Sequence, residues 1–131
     1  MPKTTYDTRF FIEHYYSKDP KTIASTTREI REERDKAISS VVIHEVYRFT
    51  LKKDGREVAI LRADLMEKDF AVIPVDEGLA VASAELRQKY DIPMADSIIA
   101  ATAISLKSPC VTDDTHITGI REAKTRWITT Q

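Results

Sequence analysis

The sequence predicts an α/β sandwich on a parallel sheet of about five short strands, and three observations predict it. Short β-leaning runs alternate with longer stretches of helical spacing, which is the pattern of parallel βαβ units. Only three glycines interrupt the 131 residues, and no internal repeat or low-complexity segment is visible. Acids stand just after the first and fourth strand-like runs, at Asp7 and at the Asp113–Asp114 pair. In open α/β sheets the strand C-termini share one edge, and that edge is where ligands bind. A chain of this length makes one domain, residues 1–131, with room for one proper core.

Each element follows from its own residues. "KTTYD" reads as a first strand and "TRFFIEHYYS" as a helix behind it. Asp7, between them, can serve as the N-cap, worth about 1 kcal/mol. "DPKTIASTTREIREERDKA" starts with Asp19 as N-cap and Pro20 at the first helical position, a standard start signal. Its apolar positions are few, so it should be largely solvated, and "REIREERDK" reads as a charged face laced by opposite-charge pairs. "KAIS" is a brief buried strand, and Ser40 can cap the next helix, "VVIHEVYRFTLKK". Asp54 and Gly55 break that run before "REVAILRADLMEK" resumes helical spacing. "FAVIPVD" is a short strand rich in β-branched residues. "EGLAVASAELRQKY" and "PMADSIIAATAISLK" are two more helices, separated at Ile92–Pro93. "CVT" is a last buried strand before "DDTHI", and "TRWIT" closes the sheet.

Composition narrows the function. Hydrophobic content of 42% and charged content of 31% are ordinary globular values and argue against disorder. The net charge of −1 supplies no overall positive field, so nucleic-acid binding would need a local patch. The single Cys110 excludes an intramolecular disulfide and a multi-cysteine zinc site, and reads as a small core residue. His14, His44 and His116 are scattered and lack a partner at catalytic spacing, so they read as surface or partly buried structural histidines. "MPKTTYD" carries no signal-peptide pattern, and no apolar run is long enough to span a bilayer. The expectation is a soluble cytoplasmic protein with no membrane partner.

The acids carry the chemistry. Glu45 shares a helix face with Val41, Val42 and Phe49, and Glu is almost never buried unpaired. Asp96 lies in the first turn of a nearly apolar helix, with no charged residue until Lys107. There it gains from the helix dipole, by a few tenths of a kcal/mol to about one. If Asp7, Glu45, Asp96 and Asp114 converge, repulsion becomes the problem: two unit charges 4 Å apart cost about 4 kcal/mol at an effective dielectric of 20. Arg9 and Arg48 are the only cations within these segments. A hard divalent cation, Mg²⁺ or Mn²⁺, is the economical partner, because such ions prefer carboxylate oxygen and water.

These residues resemble a family. "YDTRFFI", "SVVIHEVY", "MADSIIAATA" and "VTDDTHI" are similar, in order, to the four signature blocks of PIN-domain ribonucleases. The likeness spans essentially the whole chain and is nearest to small prokaryotic VapC-like members, archaeal ones in particular. The third block is the most specific. The fourth follows a Thr-x-Asp-x-x-aromatic pattern through Thr112 and Asp114, with Ile117 where the family usually has Phe and Asp113 where Asn is common. The resemblance implies a three-layer sandwich, a central parallel sheet flanked by helices, and a metal-dependent endoribonuclease site. It makes Asp7, Glu45 and Asp96 the core acids, adds Asp114 as a fourth metal ligand, and gives Thr112 the task of orienting Asp114 or the attacking water. The implied cofactor is Mg²⁺, with Mn²⁺ able to substitute. A toxin role with a cognate antitoxin, and homodimerisation, are common in the family. Arg48 and Lys52 share a face one turn beyond Glu45 and can hold RNA phosphates near the metal; Lys53 and Arg56 read as solvated.

Two rivals stand beside the nuclease. A catalytically silent PIN-like module, binding RNA or protein, would carry the acids as vestiges, although a scaffold would tolerate losing one. A phosphoacceptor receiver domain needs an early acidic pair, whereas "YDT" has one acid and "CVTDD" has its pair in the wrong half of the chain.

Overall fold

In the computed structural model, which describes residues 3–128, five strands and seven helices alternate along the described chain. They run β1 (Thr4–Tyr6), α1 (Thr8–Tyr16), α2 (Pro20–Glu32), β2 (Lys36–Ser39), α3 (Ser40–Asp54) and α4 (Arg56–Asp69). Then follow β3 (Ala71–Ile73), α5 (Glu77–Tyr90), α6 (Met94–Ser105), β4 (Cys110–Val111), α7 (Thr115–Thr118) and β5 (Thr125–Arg126). The sheet order is β3-β2-β1-β4-β5 and every pairing is parallel. Right-handed crossovers then put the helices after β1 and β2 on one face and those after β3 and β4 on the other. The result is a three-layer α/β sandwich, as expected.

That order has one consequence for function. The connections leaving β1 step towards β2 and β3, while those reaching β4 and β5 build the opposite side. The direction of winding therefore reverses between β1 and β4, and a crevice opens there at the strand C-termini. Tyr6 pairs with Val111 in register, which sets Asp7 and Thr112 side by side at its rim.

An aromatic core backs this edge. Tyr6, Phe10, Phe11 and Phe70 are buried and stack edge-on or tilted with centroids 4.8–5.4 Å apart. On α6, buried Ala100, Ala101 and Ala103 let the helix lie close to β1 and β2. The expectation of a buried, nearly apolar α6 fits, except that Met94 at its start is 59% exposed and faces a groove. Cys110 is fully buried in β4.

Several boundaries differ from expectation, each for a local reason. Helix α2 stops at Glu32 rather than running to Ala37, because Glu33 turns extended and Asp35 already accepts from Thr4 N at 2.6 Å beside the sheet. Ser39, not Ser40, caps α3: its side chain accepts from Val41 N at 3.2 Å, and Ser40 is the first helical residue. Only Ala71–Ile73 of "FAVIPVD" pairs, since Pro74 has no N–H to give a ladder. Pairing in the last strand is confined to Thr125–Arg126, and Thr129 of "TRWIT" lies outside the described residues. The break at Asp54 and Gly55 is as expected, with Gly55 at φ 88°, a conformation that costs glycine least.

The charged face of α2 is not simply solvated. Tyr6 donates its hydroxyl to Glu29 Oε2 at 2.6 Å, and Arg126 reaches both Glu29 oxygens at 3.2 and 2.7 Å. Burial works against the Glu29 carboxylate, yet the hydrogen bonds from Arg126 and Tyr6 hold it below its usual range.

Candidate active site

Asp7 is both a cap and a site residue. It follows β1 directly and caps α1, its Oδ1 accepting from Thr8 N at 2.7 Å. Its Oδ2 accepts from the Thr112 hydroxyl at 2.6 Å, and the residue is only 2% exposed. Burial pushes this carboxyl up to about 7; the bonds from Thr112 and Thr8 oppose the shift, while the charges of Asp96 and Asp114 add to it. Buried Thr112, just beyond β4, also accepts from Asp114 N at 3.0 Å. One hydroxyl thus fixes a carboxylate after β1 and a backbone turn after β4.

Asp114 caps α7, its Oδ1 accepting from His116 N at 2.8 Å. That turn carries the His116 ring to the acids: Nδ1 lies 3.1 Å from Asp96 Oδ2 and 3.2 Å from Asp114 Oδ1. Asp96 sits in the first turn of α6. Burial and the charge of Asp114 push its carboxyl up to about 6, His116 offsets part of this, and Glu45 adds to the rise. Among the described residues, Asp96, Asp114 and His116 form a group whose ligand atoms lie within 4.8 Å of one another. Asp7 and Glu45 stand outside that trio but within reach of its field.

Glu45, half-buried on α3, accepts a short hydrogen bond from the Thr8 hydroxyl. It lines one wall of a groove of about 730 Å³ together with Arg48, Phe49, Lys52, Lys53 and Met94. The groove places cations and apolar surface beside the acids.

The structure brings Asp7, Thr112, Asp96 and Asp114 to one edge, with Glu45 at the groove beside them. Asp113 points away from this group: Asp114 does the capping, and Asp113 receives Arg9 in a two-pronged pair at 3.0 and 3.2 Å. One reading of a single residue needs correcting. His116 is exposed, as a surface histidine should be, but it faces two site carboxylates. The signal for it was the spacing of "DDTHI", which places His116 two residues past a capping Asp. Thr8 was also missed, and no pattern in the sequence pointed to its pairing with Glu45. His14 is structural as read, its Nδ1 2.8 Å from the Thr26 hydroxyl and its pKa lowered by burial and by the charge of Arg62. The donors at the cluster, carboxylate oxygens with one imidazole, suit a divalent cation. Burial first, and then the charges of the neighbouring acids, raise the carboxyls of Asp7 and Asp96, and a nearby cation would oppose the rise.

The PIN domain family model matches residues 5–123, a span that holds every residue of this cluster. No curated protein matches the sequence. Among solved structures, the chain is similar to VapBC2 from Rickettsia felis, bound to a DNA fragment from its promoter. The TM-score there is 0.76 at 18% identity, covering 96% of this chain and 98% of that one. It is also similar to a toxin–antitoxin complex from Klebsiella pneumoniae, with TM-score 0.72, 24% identity, and 92% and 95% covered. A third likeness is to VapC20 of Mycobacterium tuberculosis, a sarcin–ricin loop cleaving toxin, with TM-score 0.76, 15% identity, and 89% and 94% covered. At these identities the structures share a fold, and the family rests on the sequence model: the chain belongs to the PIN domain family.

Proposed function

We propose that this protein is a divalent-metal-dependent endoribonuclease, the toxin of a toxin–antitoxin pair, acting in the cytoplasm as a homodimer. The observation that carries the reading is the convergence of Asp7, Asp96 and Asp114 at the crevice between β1 and β4, with Glu45 beside them. Four carboxylates gathered there cost stability unless a cation joins them, and a cost of that kind is retained for chemistry rather than packing.

Asp96 and Asp114 would hold the ion, Mg²⁺ with Mn²⁺ able to substitute, and Asp7 and Glu45 would complete its surroundings. When bound, such an ion polarises a phosphodiester, lowers the pKa of water and stabilises a leaving oxygen. The chain's own residues do the rest. Thr112 holds Asp7 in one rotamer and fixes the backbone that presents Asp114. Thr8 holds Glu45 facing the groove. Arg48 and Lys52 line that groove and would take the phosphates flanking the cut. The RNA substrate follows from the family resemblance, and the toxin role and antitoxin partner are carried over from the similar solved proteins, which include a sarcin–ricin loop cleaving toxin and toxin–antitoxin complexes.

The test is direct. Purified protein should cut single-stranded RNA with Mg²⁺ or Mn²⁺, stop in EDTA, and lose activity as Asp7→Asn or Asp96→Asn with the fold intact. Equal cleavage by wild type and both variants would mean a contaminant and end the proposal. A neighbouring reading frame encoding a short partner with a DNA-binding N-terminus would support the toxin role.

A further inference from the structure

We infer that His116 is a ligand of the metal site and that it strengthens Mn²⁺ binding relative to Mg²⁺; this rests on the metal-dependent reading above. The donor atoms come from two separate elements: Asp96 in the first turn of α6, and Asp114 and His116 at the N-cap and start of α7. His116 Nδ1 is nearly equidistant from one oxygen of Asp96 and one of Asp114, at 3.1 and 3.2 Å. An octahedral ion with bonds of about 2.0–2.1 Å separates adjacent ligand atoms by about 3 Å, which both distances from the ring nitrogen match, and the three ligand atoms lie within 4.8 Å of one another. The ring is also aimed. The His116 backbone N–H is held by Asp114 Oδ1, and this fixes the start of α7 with Nδ1 turned to the carboxylates.

The nitrogen changes which ion fits. Mg²⁺ keeps oxygen ligands and several waters and gains little from imidazole. Mn²⁺ also favours carboxylate and water, but unlike Mg²⁺ it is held by mixed carboxylate–imidazole sets, such as the Glu-x-x-His motifs of di-manganese carboxylate proteins. A ring at this position can alternatively serve only as a hydrogen-bond donor to the two acids. In that role Nδ1 carries a proton and never contacts the ion. The two roles therefore differ in whether a histidine nitrogen is bonded to the metal.

Pulsed EPR of the full chain loaded with Mn²⁺ separates them. Wild type should show ¹⁴N coupling to the ion, replaced by ¹⁵N coupling when the protein is made with ¹⁵N-histidine. His44→Gln should keep the coupling and His116→Gln should lose it. By titration calorimetry, His116→Gln should weaken Mn²⁺ binding by about tenfold or more, the scale on which supporting groups of metal sites act, and leave Mg²⁺ binding within about twofold because oxygen ligands dominate there. Bound Mn²⁺ without histidine coupling, or equal weakening for both ions, overturns the inference while the nuclease reading stands. No Mn²⁺ or Mg²⁺ binding by wild type would overturn both. If His116→Gln does not fold, the isotope result in wild type, with the coupling kept in both His44→Gln and His14→Gln, decides the matter.

Discussion

The Thr112 hydroxyl donates to Asp7 Oδ2 at 2.6 Å across a separation of 105 residues, joining the ends of the two strands between which the sheet reverses its winding. Both residues are almost fully buried, so the bond lies in a low-dielectric setting where losing a partner is expensive. It also favours the ionised form of Asp7 against burial.

Thr112→Val keeps the shape and removes the hydroxyl. Asp7 Oδ2 then loses its donor, Asp114 N loses its acceptor, and stability should fall by about 1–3 kcal/mol. The Asp7 carboxyl should titrate still higher than in wild type, because a bond to its charged form is gone. Urea melts and an NMR titration of Asp7 would check both; an unchanged titration would show that Thr112 does not govern this carboxyl.

Metal-free stability should depend on pH in a defined direction. The folded-state value for Asp7, about 7, lies above its ordinary 3.8. Between those values the folded chain binds more protons than the unfolded one, so stability falls as pH rises. In EDTA the melting temperature should therefore drop from pH 5 to pH 8, with Asp96, at about 6, contributing in the same sense. Asp7→Asn should flatten the curve and melt higher than wild type at pH 8. Metal at 100 times its Kd should add about 2.7 kcal/mol to wild type. A melting temperature indifferent to millimolar metal, and lower in Asp7→Asn, would contradict a convergent acidic cluster.

The groove can be probed by salt. Arg48→Ala with Lys52→Ala should weaken RNA binding and flatten its dependence on salt, by about 0.7 in log–log slope for each phosphate contact to a single strand. The same slope before and after would return both side chains to the solvent.

Asp113 and Asp114 should behave differently. Asp114→Asn removes the charge that faces Asp96 and should lower kcat severalfold or more. It should be milder than Asp7→Asn, because water can replace a partly exposed ligand on an ion that keeps several, whereas Asp7 is buried beyond the reach of water. Asp113→Asn frees Arg9 from an exposed pair, which costs under about 1 kcal/mol, and activity should change little. If Asp113→Asn proves the more damaging variant, the fourth acid has been assigned to the wrong residue.

The alternation of strands and helices, the break at Gly55, the burial of α6 and the positions of the four acids were all legible in the sequence. Each is written in short-range terms: periodicity, β-branching, capping residues, and glycine or proline at a boundary. Such signals act within one or two turns, so they survive without knowledge of the neighbours. Strand ends were less legible, because a ladder bond needs a partner supplied from elsewhere in the chain. Pro74 ended one strand on its own account; Asp35 ended a helix because Thr4 claimed its carbonyl.

What only the tertiary structure decided are the pairings over long separations. Thr8 on Glu45, Thr112 on Asp7, Arg126 on Glu29 and Arg9 on Asp113 each join segments that sequence spacing leaves unrelated. His116 is the sharpest case. Its sequence neighbours place it on a short exposed helix, and its partner Asp96 arrives from α6 through the packing of α6 against α7. The sequence by itself determined which groups carry charge and where along the chain they stand. The sheet order decided which of those charges meet, because only the reversal between β1 and β4 brings their strand ends to one crevice.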